Sequence, residues 1–214
     1  MQKRKVIFLD AVGTLFGTQE TIGSLYAQVA LQFGVDAPTS LLEKAFYQSF
    51  KAAPPACFPG VKLSDIPQRE FDWWYEVSEA TFQRAGYLSA FANFDIFFEK
   101  LFGYFATAEP WFVYPDVVAS LQKWQQEGIE LGVISNFDSR LYQVLEALNL
   151  ASYFSSVTIS TEVGAAKPDE KIFATALEKH NCLAVEACHI GDSFKEDYCG
   201  AKAAGLHAIW LHRA

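Results

Sequence analysis

The stretch KVIFLDAVGTLF, residues 5–16, gives the first indication of the fold. A short apolar run from Val6 to Leu9 ends on the carboxylate of Asp10, and a turn at Gly13 follows. A brief apolar run bounded by turn residues is typical of a strand that is buried on both faces of a parallel sheet. The stretch therefore predicts a central β-strand with a carboxylate at its carboxyl end.

The same pattern returns in the second half of the chain, where apolar runs alternate with amphipathic helical segments. Strands are predicted at residues 129–134, 156–159, 187–191 and 207–211, and helices at 115–128, 138–148, 168–179 and 195–204. Strands that alternate with helices indicate a parallel sheet with helices on both faces. We therefore predict an α/β core formed by residues 1–16 and 115–214.

A separate module is predicted between these two parts, at residues 17–114. It holds 22 of the 33 aromatic residues, although it is less than half of the 214-residue chain. Its apolar residues recur at helical spacing, as from Ile22 to Phe33, so we predict an all-helical insert whose aromatic side chains form a helix-bundle core. The aromatic excess also favours a homodimer formed through this insert.

Composition and charge exclude several classes of function. The net charge of −8 and the isoelectric point near 5.0 argue against a nucleic-acid partner, because phosphate binding needs a basic face. The apolar run before Asp10 is too short for a signal peptide or a membrane span, so no membrane partner and a cytoplasmic location are predicted. The cysteines have no C-x-x-C spacing and are interpreted as reduced thiols: Cys57, Cys182, Cys188 and Cys199.

Polar side chains stand where the predicted strands end. The first strand ends at Asp10 and the second at Ser135-Asn136, while Lys167 follows the third strand. The fourth strand leads into Asp192, with Asp197 five residues later. Because ligands of an open parallel sheet bind at the carboxyl ends of its strands, we expect these side chains to converge on one crevice.

These segments resemble the four motifs of the haloacid dehalogenase (HAD) superfamily. The matching segments are residues 8–15, Ser135-Asn136, Lys167-Pro168, and Gly191-Asp192-Ser193 with Asp197. The insert at 17–114 lies where that superfamily places its type-C1 helical cap, so the resemblance implies a Rossmann-like HAD core with an all-helical cap. Residues 135–138 and 162–169 are similar to the branch of HAD-like hydrolase domain-containing proteins of uncertain substrate.

The resemblance also implies a role for each motif residue. Asp10 would be the nucleophile that forms an aspartyl ester or aspartyl phosphate. Ser135 and the backbone N–H of Asn136 would hold the oxygens of the transferred group. Lys167 would neutralise charge between nucleophile and substrate, and Thr14 would support the loop and help to bind the substrate.

A Mg²⁺ site is implied by the same motifs. Its oxygen ligands would come from Asp10, Asp192 and the backbone carbonyl of Val12. Asp197 would bind the ion directly or through a water molecule. His189 lies inside a predicted buried strand, and we interpret it as a packed histidine and not as a ligand.

Val12 is the departure from the phosphatase pattern. HAD phosphatases usually carry a second Asp two residues after the nucleophile, where it protonates the leaving oxygen and later activates water. Valine does neither, and loss of a general acid/base typically costs about 10²–10⁴ in rate. We therefore predict a slow Mg²⁺-dependent phosphatase that acts on a small phosphorylated metabolite and favours good leaving groups.

Two alternatives stay open. Residues 10–16 are also similar to the first motif of the 2-haloacid dehalogenases, which have Tyr at the Val12 position and displace halide through an Asp ester without a metal. Those enzymes do not keep Asp at the Asp192 position, and uncompensated carboxylates would repel Asp10. The second alternative is a catalytically impaired scaffold with a binding or regulatory role; Val12 supports it, and the presence of Asp10 argues against it.

Overall fold

The computed structural model describes residues 5–213. Its strands, in chain order, are β1 (Val6–Leu9), β2 (Phe16–Thr18), β3 (Trp111–Val113), β4 (Glu130–Ser135), β5 (Ser156–Ile159), β6 (Ala187–Gly191) and β7 (His207–Trp210). Within the described residues, five of these strands form one parallel sheet in the order β5-β4-β1-β6-β7, and β2 pairs with β3. The predicted α/β fold with a parallel sheet is thereby confirmed.

Helices connect and cover these strands. They are α1 (Ile22–Leu31), α2 (Thr39–Ala52), α3 (Ile66–Ala85), α4 (Phe94–Tyr104), α5 (Val117–Gln126), α6 (Arg140–Ala147), α7 (Ser160–Val163), α8 (Glu170–Lys179) and α9 (Gly200–Ala203). A π-helical segment, Phe194–Cys199, runs directly into α9, so the helix predicted at 195–204 has two parts with different winding. The side chain of Asp169 begins α8 by accepting a hydrogen bond from the Lys171 backbone N–H, as an N-cap does.

The core of the sheet lies around β1. All four residues of β1 are buried, and β1 pairs with β4 on one side and β6 on the other. Phe8 and Ile134 pack against Ile172 and Phe173 of α8 on one face of the sheet. Burial of both faces explains why β1 is continuously apolar, and it places Asp10 in the middle of the carboxyl edge.

The chain divides into two compact units. The sheet unit comprises the residues up to 17, residues 56–66 and the residues from 112 onward; the helical unit comprises residues 18–55 and 67–111. The sequence predicts one insert from 17 to 114, and the structure differs from it at residues 56–66. The cap role of the helical unit stays a prediction.

Residues 56–66 pack on the sheet unit beside α7. The Ser160 hydroxyl donates a hydrogen bond to the Ala56 carbonyl over 2.8 Å. Gly164 has a positive φ of 66°, and a Cβ at this position would lie only 2.9 Å from Pro59 Cα. The missing side chain at Gly164 thus allows the segment around Pro59 to approach closely, and residue composition alone does not reveal this.

The helical unit has an aromatic core, as predicted. Phe82 and Phe97 are fully buried with ring centroids 5.1 Å apart, and Phe98 packs edge-on against Phe71 at 4.8 Å. Edge-to-face pairs of this kind add to the free energy gained from burial alone. Among residues 5–213, no helix has the length and apolar composition that a bilayer crossing requires.

Candidate active site

The carboxyl edge of the sheet brings four of the predicted residues into direct contact or near contact. Asp10 follows β1, and its backbone N–H donates to the carbonyl of Ile190 on β6 over 2.9 Å. One carboxylate oxygen each from Asp10, Asp192 and Asp197 lie within 4.8 Å of one another. Lys167, from the loop between α7 and α8, contacts two of the three carboxylates. The expected convergence of strand ends therefore occurs.

Lys167 is the central cation of this cluster. Its ammonium donates to Asp10 Oδ1 and to Asp197 Oδ1, each over 2.6 Å, and to the carbonyl of Ile134 over 3.0 Å. All three ammonium hydrogens are used, and the residue is only 4% exposed. Burial lowers the pKa of Lys167, but the charges of Asp10 and Asp197 outweigh it and raise that pKa above its usual value. The lysine is therefore charged.

Asp197 has donors on both of its oxygens. Oδ1 accepts from Lys167 and also from His189 Nε2 over 2.8 Å, and Oδ2 accepts from the backbone N–H of Ser193 over 2.9 Å. Burial raises the pKa of Asp197, but the hydrogen bond from His189 and the charge of Lys167 outweigh it and hold that pKa well below its usual range. In this arrangement Asp197 holds Lys167 in place.

Asp192 is the least compensated carboxylate of the three. Burial, followed by the charges of Asp10 and Asp197, raises its pKa to about 6. Gly13 lies against it with φ +82°, and a Cβ on Gly13 would collide with the Asp192 carboxylate. Only glycine at this position lets the loop after Asp10 pass so close to Asp192.

The donor atoms of this cluster fit a hard divalent cation. Carboxylate oxygens are the ligands that Mg²⁺ prefers. Within the described residues, Lys167 forms ion pairs with Asp10 and Asp197 of this cluster, and Asp192 has no ion-pair partner. Asp10 Oδ2 accepts no hydrogen bond from any residue in the range 5–213, so that oxygen remains accessible to a ligand. The Val12 carbonyl stays a predicted ligand, and the Val12 side chain is 37% exposed.

Asn136 fixes the loop that carries Lys167. Its Oδ1 accepts from the Lys167 backbone N–H over 2.7 Å, and its Nδ2 donates to the Lys167 carbonyl over 3.0 Å. Its side chain therefore positions the lysine, while the predicted binding role belongs to its backbone N–H. Ser135 is buried at the end of β4, and its hydroxyl has no hydrogen-bond partner in the described part of the chain. That hydroxyl is available to a ligand.

Thr14 occupies a different position from the other predicted residues. It is 1% exposed, and its hydroxyl has no hydrogen-bond partner among residues 5–213. Its backbone carbonyl accepts from the guanidinium of Arg213. Thr14 thus supports the loop through its main chain, and its predicted contact with substrate stays a prediction.

Sequence reasoning missed two residues of the site. His189 was interpreted as a packed histidine, and it is indeed fully buried, but its Nε2 bonds to Asp197. Burial lowers the pKa of His189, so the ring is neutral and donates its Nε2–H to the ionised carboxylate. Glu196 accepts from Asn136 Nδ2 over 3.2 Å, and burial raises its pKa. The only sequence signal for Glu196 was its place next to Asp197.

Comparison with known proteins places this site in a wider group. A family model described as haloacid dehalogenase-like hydrolase matches residues 4–205. Haloacid dehalogenase-like hydrolase domain-containing protein 3 of Homo sapiens is 34% identical over 206 residues, which cover 96% of this chain and 80% of that protein.

Solved structures of two kinds share the fold. An HAD phosphatase from Thermococcus onnurineus is 24% identical with a TM-score of 0.62, over 98% of this chain and 86% of that one. The L-2-haloacid dehalogenase from Xanthobacter autotrophicus is 19% identical with a TM-score of 0.68, over 99% of this chain and 78% of that one. At these identities the likeness concerns the fold, and the chemistry has to be argued from the site itself.

Proposed function

The chain belongs to the haloacid dehalogenase-like hydrolases, and on that premise we propose that it is a slow Mg²⁺-dependent phosphatase of a small phosphorylated metabolite. The carboxylate cluster carries the proposal. One carboxylate oxygen each from Asp10, Asp192 and Asp197 lie within 4.8 Å of one another. The charge of Lys167 does not compensate all three, since burial and the two neighbouring carboxylates raise the pKa of Asp192 to about 6. A divalent cation removes that repulsion, whereas displacement of halide by a metal-free Asp has no use for a second carboxylate.

Asp10 would act as the nucleophile. Lys167 holds Oδ1, so Oδ2 is the oxygen that attacks phosphorus. The bond between phosphorus and the leaving oxygen breaks, and the phosphoryl group is carried by Asp10. Water then attacks the same phosphorus, which releases phosphate and restores the Asp10 carboxylate.

The surrounding groups would bind the phosphoryl oxygens. The Ser135 hydroxyl and the Asn136 backbone N–H would donate to them, and the ammonium of Lys167 would offset the charge that Asp10 brings to an anionic substrate. Asp10 and Asp192, with the Val12 carbonyl, would hold Mg²⁺, which supplies further charge neutralisation when bound. Asp197 would act on the ion indirectly, because both of its oxygens already accept hydrogen bonds from the protein.

Val12 sets the expected rate and the preference for leaving groups. Without a carboxylic acid at this position, the side chain two residues after the nucleophile protonates no leaving oxygen. The aryloxide of an aryl phosphate leaves as a stabilised anion, so the missing acid slows hydrolysis of aryl phosphates less than hydrolysis of alkyl phosphates. We expect turnover that is about 10²–10⁴-fold below that of an enzyme with the acid in place.

The test is release of phosphate from p-nitrophenyl phosphate and from an alkyl phosphate, with and without Mg²⁺. The wild type is compared with Asp10→Asn, which keeps the shape of the side chain, and with Asp36→Asn as a matched control at an exposed position of the helical unit. We expect activity that needs both Mg²⁺ and Asp10, is unchanged in the control and is greater on the aryl ester.

Three results would contradict the proposal. Equal activity in wild type and Asp10→Asn would exclude Asp10 as the nucleophile. Equal rates on alkyl and aryl esters would show that a proton donor is present despite Val12. Absence of phosphate release, together with metal-independent release of chloride from 2-haloacids that needs Asp10, would establish a dehalogenase.

A further inference from the structure

Arg213 makes three contacts at the loop that follows Asp10. Its Nη2 donates to the backbone carbonyl of Thr14, and its Nη1 pairs with Asp116 Oδ1. Its guanidinium carbon lies 4.2 Å from the centroid of the Tyr114 ring. The Arg213 side chain is 19% exposed and Thr14 is buried, so the bond to the Thr14 carbonyl is shielded from water, whereas Asp116 is 58% exposed and its bond to Arg213 is partly solvated.

The contacted loop consists of residues 10–16, and hydrogen bonds within its own backbone hold much of its turn. The N–H of Leu15 donates to the Ala11 carbonyl over 2.8 Å, and the N–H of Gly13 donates to the Phe16 carbonyl over 2.8 Å. The carbonyl of Thr14 points away from this turn to Arg213. A buried carbonyl without a donor is costly, so Arg213 satisfies an atom that the loop itself does not.

Asp116 and Tyr114 hold the guanidinium of Arg213 in place. Asp116 lies just before α5, and its hydrogen bond with Arg213 lowers the pKa of that carboxyl, which is therefore ionised at neutral pH. The Tyr114 N–H donates to the Leu15 carbonyl over 3.2 Å, so the residues that fix Arg213 also contact the loop directly. The planar guanidinium donates through two nitrogens in a fixed fork and also lies over the Tyr114 ring, a geometry that the compact ammonium of lysine does not reproduce.

We propose that Arg213 is a positioning residue that holds the loop carrying Asp10 in its reactive conformation through the Thr14 carbonyl. This rests on the proposed function only in that it takes Asp10 as the nucleophile. Arg213 lies outside residues 4–205, which the family model matches. Since small displacements of a reacting group are costly in rate, a contact to the main chain four residues from the nucleophile influences catalysis without touching the substrate.

The test compares Arg213→Ala, Arg213→Lys and Asp116→Asn with the wild type. Lys202→Ala is the matched control, because the Lys202 ammonium lies 4.5 Å above the Tyr198 ring and bonds to the Tyr198 hydroxyl. Hydrogen–deuterium exchange of the backbone amides of residues 13–16 reports on the loop directly, with the amides of β6 as an internal reference. Steady-state hydrolysis of p-nitrophenyl phosphate and thermal unfolding are measured on the same samples.

In Arg213→Ala we expect exchange of the loop amides to be about 10- to 100-fold faster while β6 is unchanged. We expect kcat to fall on the order of 10- to 100-fold with KM within about two-fold. Arg213→Lys and Asp116→Asn should lie between this variant and the wild type, and added guanidinium ion should partly restore kcat of Arg213→Ala alone.

If hydrogen–deuterium exchange of the loop amides is unchanged in Arg213→Ala, the inference is overturned, whatever the activity. A uniform rise of exchange in the loop and β6 together would also overturn it, since it would indicate a general loss of stability. If the wild type hydrolyses no phosphate ester but loop exchange still rises selectively, the proposed function fails and the positioning of the Asp10 loop by Arg213 is supported.

Discussion

Replacement of Lys167 by methionine should destabilise the protein strongly around neutral pH. Methionine has a similar length and is apolar, so it can occupy the buried site but donates no hydrogen bond. The change leaves Asp10 and Asp197 buried and close together without their shared cation. Like charges at this distance repel, so one of the two carboxylates has to take up a proton.

The magnitude follows from the contacts of the ammonium. Two of its hydrogen bonds are charge-assisted at 2.6 Å, and the third, to Ile134, leaves a buried carbonyl without a donor when it is lost. Breaking a buried ion pair by removing one partner costs about 3–5 kcal/mol. Since a domain is stable by only about 5–15 kcal/mol, this is a large fraction of the total.

The pH dependence of this deficit has a definite sign. The raised pKa of Lys167 means that its contribution is complete below the ordinary lysine pKa and is lost only as pH rises through the raised value. The lowered pKa of Asp197 means that its contribution is present above the ordinary Asp pKa and is lost as pH falls. In Lys167→Met the proton that the carboxylate pair takes up becomes more costly as pH rises, so the deficit should grow from about pH 4 toward neutral pH and shrink below about pH 4.

Urea unfolding of Lys167→Met at several pH values measures the deficit. Lys195→Met, at an exposed position of the π-helical segment, is the matched control and should lie within about 0.5 kcal/mol of the wild type. The double variant Lys167→Met/Asp197→Asn should recover about 1–3 kcal/mol, because the orphaned charge is removed. A deficit below about 1 kcal/mol at pH 7, or one that grows on acidification, would refute the ion-pair argument.

Two further predictions concern Val12 and Asp192. Val12→Asp should raise kcat by about 10²–10⁴ with the larger gain on alkyl phosphates, and a gain that is equal on aryl esters would mean that the new carboxyl does not protonate the leaving oxygen. In metal-free buffer, Asp192→Asn should be more stable than the wild type above pH 6 and equal to it near pH 4, because a raised carboxyl pKa means that ionisation of Asp192 destabilises the folded state as pH rises. Parallel melting-temperature curves from pH 4 to pH 8 would contradict this, and Mg²⁺ should stabilise the wild type more than Asp192→Asn.

The position of the site was predictable because it depends on a periodic property of the chain. Apolar runs mark the strands, and a parallel sheet puts all their carboxyl ends at one edge. Asp10 and Asp192 were therefore expected at the same edge, and the pairing of β1 with β6, which the sequence does not predict, puts them close together. The same reasoning applies to Ser135 at the end of β4.

The pairing within the site was not predictable, since it depends on contacts between residues far apart in the chain. Whether Lys167 would pair with Asp10, Asp197 or both depends on side-chain geometry that no spacing encodes. Arg213 reaches Thr14 across almost the whole chain. His189 has the ordinary sequence pattern of a buried strand residue, and its partner Asp197 lies eight residues further along in the π-helical segment.

The boundary of the helical unit was not predictable either, for a different reason. Composition marks residues 17–114 as one module because this range holds 22 of the 33 aromatic residues. Packing instead assigns residues 56–66 to the sheet unit, where Gly164 permits the close approach of Pro59 and Ser160 bonds to the Ala56 carbonyl. These contacts lie in residues 160–164, so they leave no signal in the segment whose location is in question.

The three carboxylates of the site differ in how many hydrogen bonds and compensating charges the protein provides to them. This difference gives them different roles. Asp197 has protein donors on both oxygens, from Lys167, His189 and Ser193, so it has the least to gain from a cation. Asp10 has Lys167 on one oxygen, and Asp192 has a pKa that burial, followed by the charges of its neighbours, raises to about 6. A bound Mg²⁺ would therefore be drawn to Asp10 and Asp192, and loss of Asp197 would act first on the position of Lys167.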